Sequence, residues 1–257
     1  MSVQSNLFKG SEGLAKPYSL GPYNKCDEAE QWIRISEGCP NNCPYCYEPT
    51  ELKLFPIPEI VRNKVKIMDM NLIAKPEALR IIRDLGNKRV NGKVIYYELI
   101  CGIDYRFMTQ ELAAALHANR FQHIRLAWDW GYQFQFKVFT VVGMLKKAGY
   151  RPNQIQVFMI CNWKIPYEEN LLKMDLCKVW GVQIADCWFD NQYGRVKLPI
   201  HWTEEQIKDF RGKCRRHNQL VNFGYDAEYE GKRIKKLSNN PKGGEGKSCW
   251  EVIQDER

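Results

Sequence analysis

Nowhere in the chain do apolar side chains continue for the ~20 positions that a membrane-spanning helix needs. The opening residues, MSVQSNLFKGSEGLAKPYSL, also lack the apolar core of a secretion signal. The expectation is a cytoplasmic protein with no membrane partner, in a compartment that keeps thiols reduced. Histidine is scarce: His117, His123, His201 and His217 are scattered, with no pair at metal-binding spacing, and read as helix-face or surface residues. There is no internal repeat beyond a recurring strand-helix unit, and no shift of composition that would split the chain into two domains.

Aromatic residues and cysteine, by contrast, are plentiful. The 257 residues include 8 Trp, 13 Tyr and 11 Phe, and are 44% hydrophobic and 26% charged, which excludes disorder as the overall state. Lys and Arg number 38 against 30 Asp and Glu, and the resulting +8 points toward an anionic partner. Of 10 cysteines, Cys39, Cys43 and Cys46 cluster, while Cys26, Cys101, Cys161, Cys177, Cys187, Cys214 and Cys249 stand singly. Clustered thiols in a reducing compartment read as metal ligands or reactive groups.

The apolar pattern predicts an irregular lead-in over residues 1–28, then an α/β body over 29–230, then a basic, flexible tail over 231–257. Strands are expected at Trp32–Ser36, Val65–Asp69, Val94–Ile100, Ile124–Trp128, Ile155–Ile160 and Val182–Ala185. Helices are expected from Pro76 to Gly86, after the cap Thr109, from Gln135 to Ala148, from Tyr167 to Trp180, and from Trp202 to about Val221. Pro49, Pro56 and Pro58 keep the stretch after the cysteines from being helical. Strands alternating with helices imply a parallel sheet, here a partial (β/α)6 TIM-like barrel.

The cluster is spaced C-x3-C-x2-C within Gly38-Cys39-Pro40-Asn41-Asn42-Cys43-Pro44-Tyr45-Cys46-Tyr47. Three thiolates on one tight loop can take three corners of a tetrahedral or cubane site. No second cysteine pair exists to complete a structural zinc site, which leaves a cubane with one open iron as the preferred reading. A zinc site completed by Cys26 or a histidine is the alternative. A ferredoxin fits less well, because it would carry four clustered ligands and no large β/α body.

This loop, placed after the first strand and ahead of β/α units, resembles the radical S-adenosylmethionine superfamily over roughly residues 30–195. The resemblance implies a [4Fe-4S] cluster on Cys39, Cys43 and Cys46, with S-adenosylmethionine chelating the fourth iron. It further implies reductive cleavage to a 5'-deoxyadenosyl radical, hydrogen abstraction from substrate, and an electron donor of flavodoxin or ferredoxin type. The stretches Met68–Leu72, Gly102–Arg106 and Leu126–Asp129 are similar to uncharacterised radical proteins of bacterial and phage origin.

In such barrels the chemistry sits at the C-terminal strand ends. The strand Val94–Ile100 ends Cys101-Gly102-Ile103-Asp104, where the family carries a Gly-Gly-Glu type stretch for the methionine amino group; Gly102 and Asp104 are the partial match. Arg106 is read either as a partner for the methionine carboxylate or a phosphate, or as an ion pair with Asp104. Asp129 lies between Trp128 and Trp130, suited to touching substrate or to capping its loop. The resemblance assigns Asn162 to the ribose, Ile184 to the adenine face and Tyr45 to the adenine edge. Cys101, Cys161 and Cys187 recur at strand ends, where each is either a hydrogen-atom donor, an auxiliary-cluster ligand or inert packing.

Arg211, Lys213, Arg215 and Arg216, followed by Lys232, Arg233, Lys235 and Lys236, are interleaved with Phe210, Phe223, Tyr225 and Tyr229. Basic and aromatic groups together suit nucleic acid, whose bases or modified nucleotides are the favoured substrate class. Peptide modification and activation of a glycyl-radical partner are the other radical readings. A zinc-stabilised nucleic-acid-binding protein without catalysis is the reading from another class.

Overall fold

The computed structural model describes residues 19–41, 43, 46, 48–161, 165–188 and 202–223. Tyr45, Asn162, the tail from 231 and the basic residues after 223 lie outside the described residues. Strands β1 (Tyr23–Cys26), β2 (Gln31–Arg34), β3 (Lys64–Ile67), β4 (Tyr96–Leu99) and β6 (Phe121–Gln122) form one sheet in the order β1-β2-β3-β4-β6. Strands β5 (Ile103–Asp104), β7 (Ile124–Ala127), β8 (Ile155–Cys161) and β9 (Gln183–Trp188) form the other, in the order β9-β8-β7-β5.

The two sheets share two runs of chain. Gly102, at φ 81°, breaks one run between β4 and β5, and His123, at φ 50°, breaks the other between β6 and β7. Six runs are thus parallel, in the order expected of a partial barrel, and among the described residues the two outer strands are not paired with each other. The barrel is open. β1 joins the first sheet antiparallel, zipped to β2 from Tyr23–Arg34 to Cys26–Gln31, in a stretch the sequence read as irregular.

Five helices follow the second to sixth runs: α1 (Ala78–Asn87), α2 (Gln110–Ala118), α3 (Gln135–Lys147), α4 (Tyr167–Trp180) and α5 (Glu204–Phe223). Ala78, Ile81, Ile82 and Leu85 of α1 recur at helical spacing and are buried, as are Val138, Val141, Val142 and Leu145 of α3. Thr109 caps α2 by accepting from Leu112 N at 3.1 Å, and Gly181 ends α4 at φ 68°. Among the described residues no helix is long and apolar enough to cross a membrane.

Side chains alternate along the parallel strands. Ile33, Val65, Ile67, Tyr97, Leu99, Ile124, Leu126, Ile155, Val157, Met159 and Ile184 are buried in the core. Their neighbours Trp32, Lys66, Glu98, Arg125, Gln156 and Phe158 are only partly buried and line the open concave side. That wall is polar: Lys66 pairs with Glu30 at 2.7 Å and lies over the Trp32 ring, while Arg125 pairs with Glu98 and lies 5.9 Å from the Phe158 ring centre. A packed barrel interior would not hold such a wall, so the alternation marks where solvent or ligand enters.

Of the two readings of the histidines, His217 takes the helix-face one and not the surface one. It is 6% exposed, with Nε2 2.7 Å from the Val182 carbonyl, and burial lowers its pKa. The chain there closes a sheet edge: Asn218 accepts from Ile184 N at 2.8 Å and donates to Ile184 O at 2.6 Å, satisfying the backbone that β9 leaves unpaired.

Candidate functional site

The first parallel run ends in a loop, where the other five runs lead to helices. Gly38 opens that loop at φ 88°, and a Cβ there would meet the Glu51 carbonyl oxygen at 1.9 Å. Only glycine fits both conditions. Gly38→Ala is expected to cost about 2 kcal/mol in urea unfolding and to reduce iron uptake, because the loop must move to admit the methyl group.

Beneath the loop lies a layer of polar side chains, all buried: Arg34, Ser36, Glu37, Glu48, Asp69, Asn71, Lys75 and Asp104. Glu48 closes the loop on itself. Its carboxylate accepts from Arg34 Nη2 at 2.9 and 2.7 Å and from Gly38 N at 2.7 Å. Asp69 accepts from Ile35 N at 2.9 Å and from the Ser36 hydroxyl, and burial pushes its carboxyl up to about 6 against those bonds. The Lys75 ammonium donates to the Gly38 carbonyl, and burial lowers its pKa. Each group has partners, as a buried polar layer requires.

The three cysteines sit above this layer, each partly buried. Cys39 N donates to the Pro49 carbonyl at 2.8 Å and Cys46 N to the Cys43 carbonyl at 3.1 Å, so the loop is folded back by its own backbone. Sulfur receives N–H groups at Cys39 and Cys46: Asn71 Nδ2 lies 3.6 Å from Cys39 Sγ, and Glu48 N lies 3.5 Å from Cys46 Sγ. Burial, with smaller contributions from Cys43 and Cys39, pushes the Cys46 thiol up to about 12. Among the described residues no three His, Cys, Asp or Glu side chains already stand in a metal-holding array. The donor set nevertheless suits an iron-sulfur cluster: three neighbouring sulfurs on one loop, N–H donors aimed at two of them, and a thiol that needs a cation to displace its proton.

Asp104 links the loop to the next strand ends. It accepts from Asn41 Nδ2 at 2.7 Å, from Arg106 N at 2.8 Å and from Arg106 Nη2 at 2.5 Å. The ion-pair reading of Arg106 is therefore realised; the guanidinium also lies 5.8 Å from the Trp130 ring centre, and its pKa is raised first by the hydrogen bond to Asp104, with a smaller contribution from Cys43. In register with Asp104 on the concave side are Ala127, then Phe158, then Ala185. A ring between two alanines makes a shelf beside the carboxylate. Gly102 stands beside that shelf, where a Cβ would make an ordinary 3.5 Å contact with the Phe158 ring, and its φ of 81° is what favours glycine.

The remaining residues singled out from sequence divide. Cys101 is partly buried, donates to the Met68 carbonyl at 3.3 Å and is pushed up to about 11 by burial first and Asp69 second. Asp129 is half-buried and lies near Cys187, whose thiol burial and Asp129 push up to about 12. Cys161 does not reach the open side. It is fully buried, 3.8 Å from the Asn170 amide of α4, and burial raises its pKa further still. Ile184 is likewise 1% exposed in the core, so the adenine contact expected of it is not available to its side chain. Alternation places apolar Ile184 under the helices and turns Ala185 outward instead.

On α5, Arg211 lies 4.5 Å from the Trp188 ring centre and 3.6 Å from Asp186, and Lys213 pairs with Asp209. These two cations are partly used within the protein. Sequence reasoning missed Arg34, Asn41, Glu48, Asn71 and Lys75. For Arg34 a signal existed, a charged residue in an otherwise strand-like run.

No family model and no curated protein matches the chain. Among solved structures it is similar to the radical S-adenosylmethionine methyltransferase TsrM from Kitasatospora setae with cobalamin and [4Fe-4S] cluster bound, at TM-score 0.49 and 11% identity over 61% of this chain and 36% of that one. It is also similar to the radical SAM enzyme HemN, coproporphyrinogen III oxidase from Escherichia coli, at TM-score 0.43 and 12% identity over 63% of this chain and 41% of that one. A third is HydG, a maturase of the [FeFe]-hydrogenase, at TM-score 0.49 and 14% identity over 74% of this chain and 48% of that one. The chain matches between about a third and a half of the length of each of these proteins.

Proposed function

We propose that the chain is a radical S-adenosylmethionine enzyme that carries a [4Fe-4S] cluster on Cys39, Cys43 and Cys46. The observation that supports this reading best is the C-x3-C-x2-C loop at the end of the first parallel run, tied through Asn41 to Asp104 at another strand end. When bound, the cluster supplies a single electron for reductive cleavage of S-adenosylmethionine and hence a carbon radical that abstracts hydrogen.

The protein's own groups supply the rest. Arg106, beside Cys43 and over Trp130, offers a cation for the amino-acid carboxylate of S-adenosylmethionine; Asp104 offers an acceptor for its ammonium. Phe158, between Ala127 and Ala185, takes the stacking role that Ile184 cannot. Asp129, just after β7, and Cys187, on β9, are polar groups at strand ends on either side of β8, and are the groups we assign to hold or return a proton or hydrogen atom. The substrate enters along the Trp32, Lys66, Glu98 and Arg125 wall, and a nucleic-acid base or modified nucleotide is the substrate class favoured. The electron comes from a flavodoxin or ferredoxin type of donor.

Anaerobic reconstitution tests the reading. Expected are iron and sulfide bound to the chain, 5'-deoxyadenosine formed with dithionite and S-adenosylmethionine, and loss of both in Cys43→Ala. A chain that takes zinc alone, or that forms no 5'-deoxyadenosine with a full cluster, sinks it. With DNA or tRNA added, nucleoside mass spectrometry should show a modified base; turnover indifferent to both removes nucleic acid as substrate.

A further inference from the structure

We propose that Asn71 sets the electron affinity of the cluster by donating a hydrogen bond to the Cys39 sulfur. The inference rests on the reading of Cys39, Cys43 and Cys46 as the cluster ligands, and it concerns a residue outside that loop. Asn71 follows β3 and is held at φ 50° and ψ 57°, a left-handed conformation that asparagine tolerates better than other side chains bearing a Cβ. It is 8% exposed.

The orientation of its amide is fixed by a second bond. Asn71 Oδ1 accepts from Asp104 N at 3.0 Å, and a backbone N–H can be met only by the oxygen end. The nitrogen end is therefore the one presented to Cys39 Sγ, 3.6 Å away. An N–H group aimed at a ligating sulfur withdraws charge from it and favours the reduced cluster. The Lys75 ammonium, on the Gly38 carbonyl just before Cys39, adds positive charge on the same side. At Cys46 the sulfur receives a backbone N–H, from Glu48. Asn71 also connects the two halves of the site, because the Asp104 whose N–H it accepts is the residue that holds Arg106.

Two substitutions separate tuning from construction. Asn71→Gly keeps the left-handed backbone at no steric cost and removes the donor. Asn71→Asp keeps the shape and the acceptor for Asp104 N but replaces the donor with an anion. The full chain is reconstituted anaerobically, iron and sulfide are counted, and the cluster is titrated potentiometrically with paramagnetic resonance detection. At the wild-type midpoint the ratio of reduced to oxidised cluster should fall about tenfold in Asn71→Gly, or ~59 mV for a one-electron couple. It should fall further in Asn71→Asp.

Unchanged midpoints in variants with a full cluster overturn the proposal and leave the functional reading standing. Loss of the cluster from both variants, with native circular dichroism, also overturns it, since Asn71 would then build the loop and not tune it. A wild-type chain that binds no iron-sulfur cluster overturns both.

Discussion

Glu48→Ala should destabilise the protein by about 3 to 5 kcal/mol and take iron binding with it, the largest loss expected from any single change outside the cysteines. Arg34 is 3% exposed and Glu48 2%, so removing the carboxylate leaves a buried guanidinium whose remaining contacts among the described residues are 3.3 Å from Nε to the Ser36 carbonyl and a 3.9 Å approach to Glu37. The Gly38 N–H loses its acceptor in the same step. Urea unfolding measures the first effect and iron content the second. The double variant Arg34→Met with Glu48→Met separates the two causes. Removing both charges should restore much of the stability, because the unpaired guanidinium is gone, while iron uptake stays low, because nothing holds Gly38. Full iron loading in the double variant would show that Glu48 does not position the loop.

The pair also shows which parts of the site could be read from sequence. The cysteine spacing is local, and so are the apolar stripes; α4 lies at Tyr167–Trp180, where the spacing predicts it. Arg34 and Glu48 are 14 residues apart, and Ile35 and Asp69 are 34 apart. Neither bond has a periodicity: the first needs the cysteine loop to fold back on the strand end, and the second needs the parallel crossover between β2 and β3. The strand β1 is hidden for a different reason. Its four residues are all exposed and join the sheet by backbone bonds to β2, so there is no hydrophobic alternation to detect.

Face assignment at strand ends is the third case. A strand end is a place in the sequence, but its side chains alternate, and a change of one position exchanges open face for core. Asp104 and Arg106 fall on the open side with the loop; Cys161 and Ile184 fall on the helix side. Register resolves what sequence cannot: Val157, which is core, pairs with Ile184, and Phe158, which is open, pairs with Ala185. The same geometry offers Phe158 as the shelf beside Asp104, a residue with no local mark in the sequence.

Lys173→Met should stabilise the protein at pH 7 by about 2 to 3 kcal/mol, or ~5 to 10 °C in melting temperature. Lys173 is fully buried on α4, with its ammonium 3.3 Å from the Trp128 carbonyl and 5.4 Å from the Trp128 ring centre. Burial pushes its pKa from 10.5 down to about 8, against smaller favourable contributions from Glu169 and Asp129. Between those values the unfolded chain holds a proton that the folded chain has released, so stability rises with pH across that window. Below about pH 8 the folded protein must carry the buried charge, at a cost of ~3 kcal/mol. Methionine carries no charge at any pH and has nearly the same length. The gain over wild type should therefore be full at pH 7 and nearly absent at pH 10.5, which unfolding at the two pH values measures. A gain equal at both would mean that packing and not charge is responsible, and a loss at pH 7 would mean that the bond to Trp128, at the base of the Asp129 loop, outweighs the cost of burial.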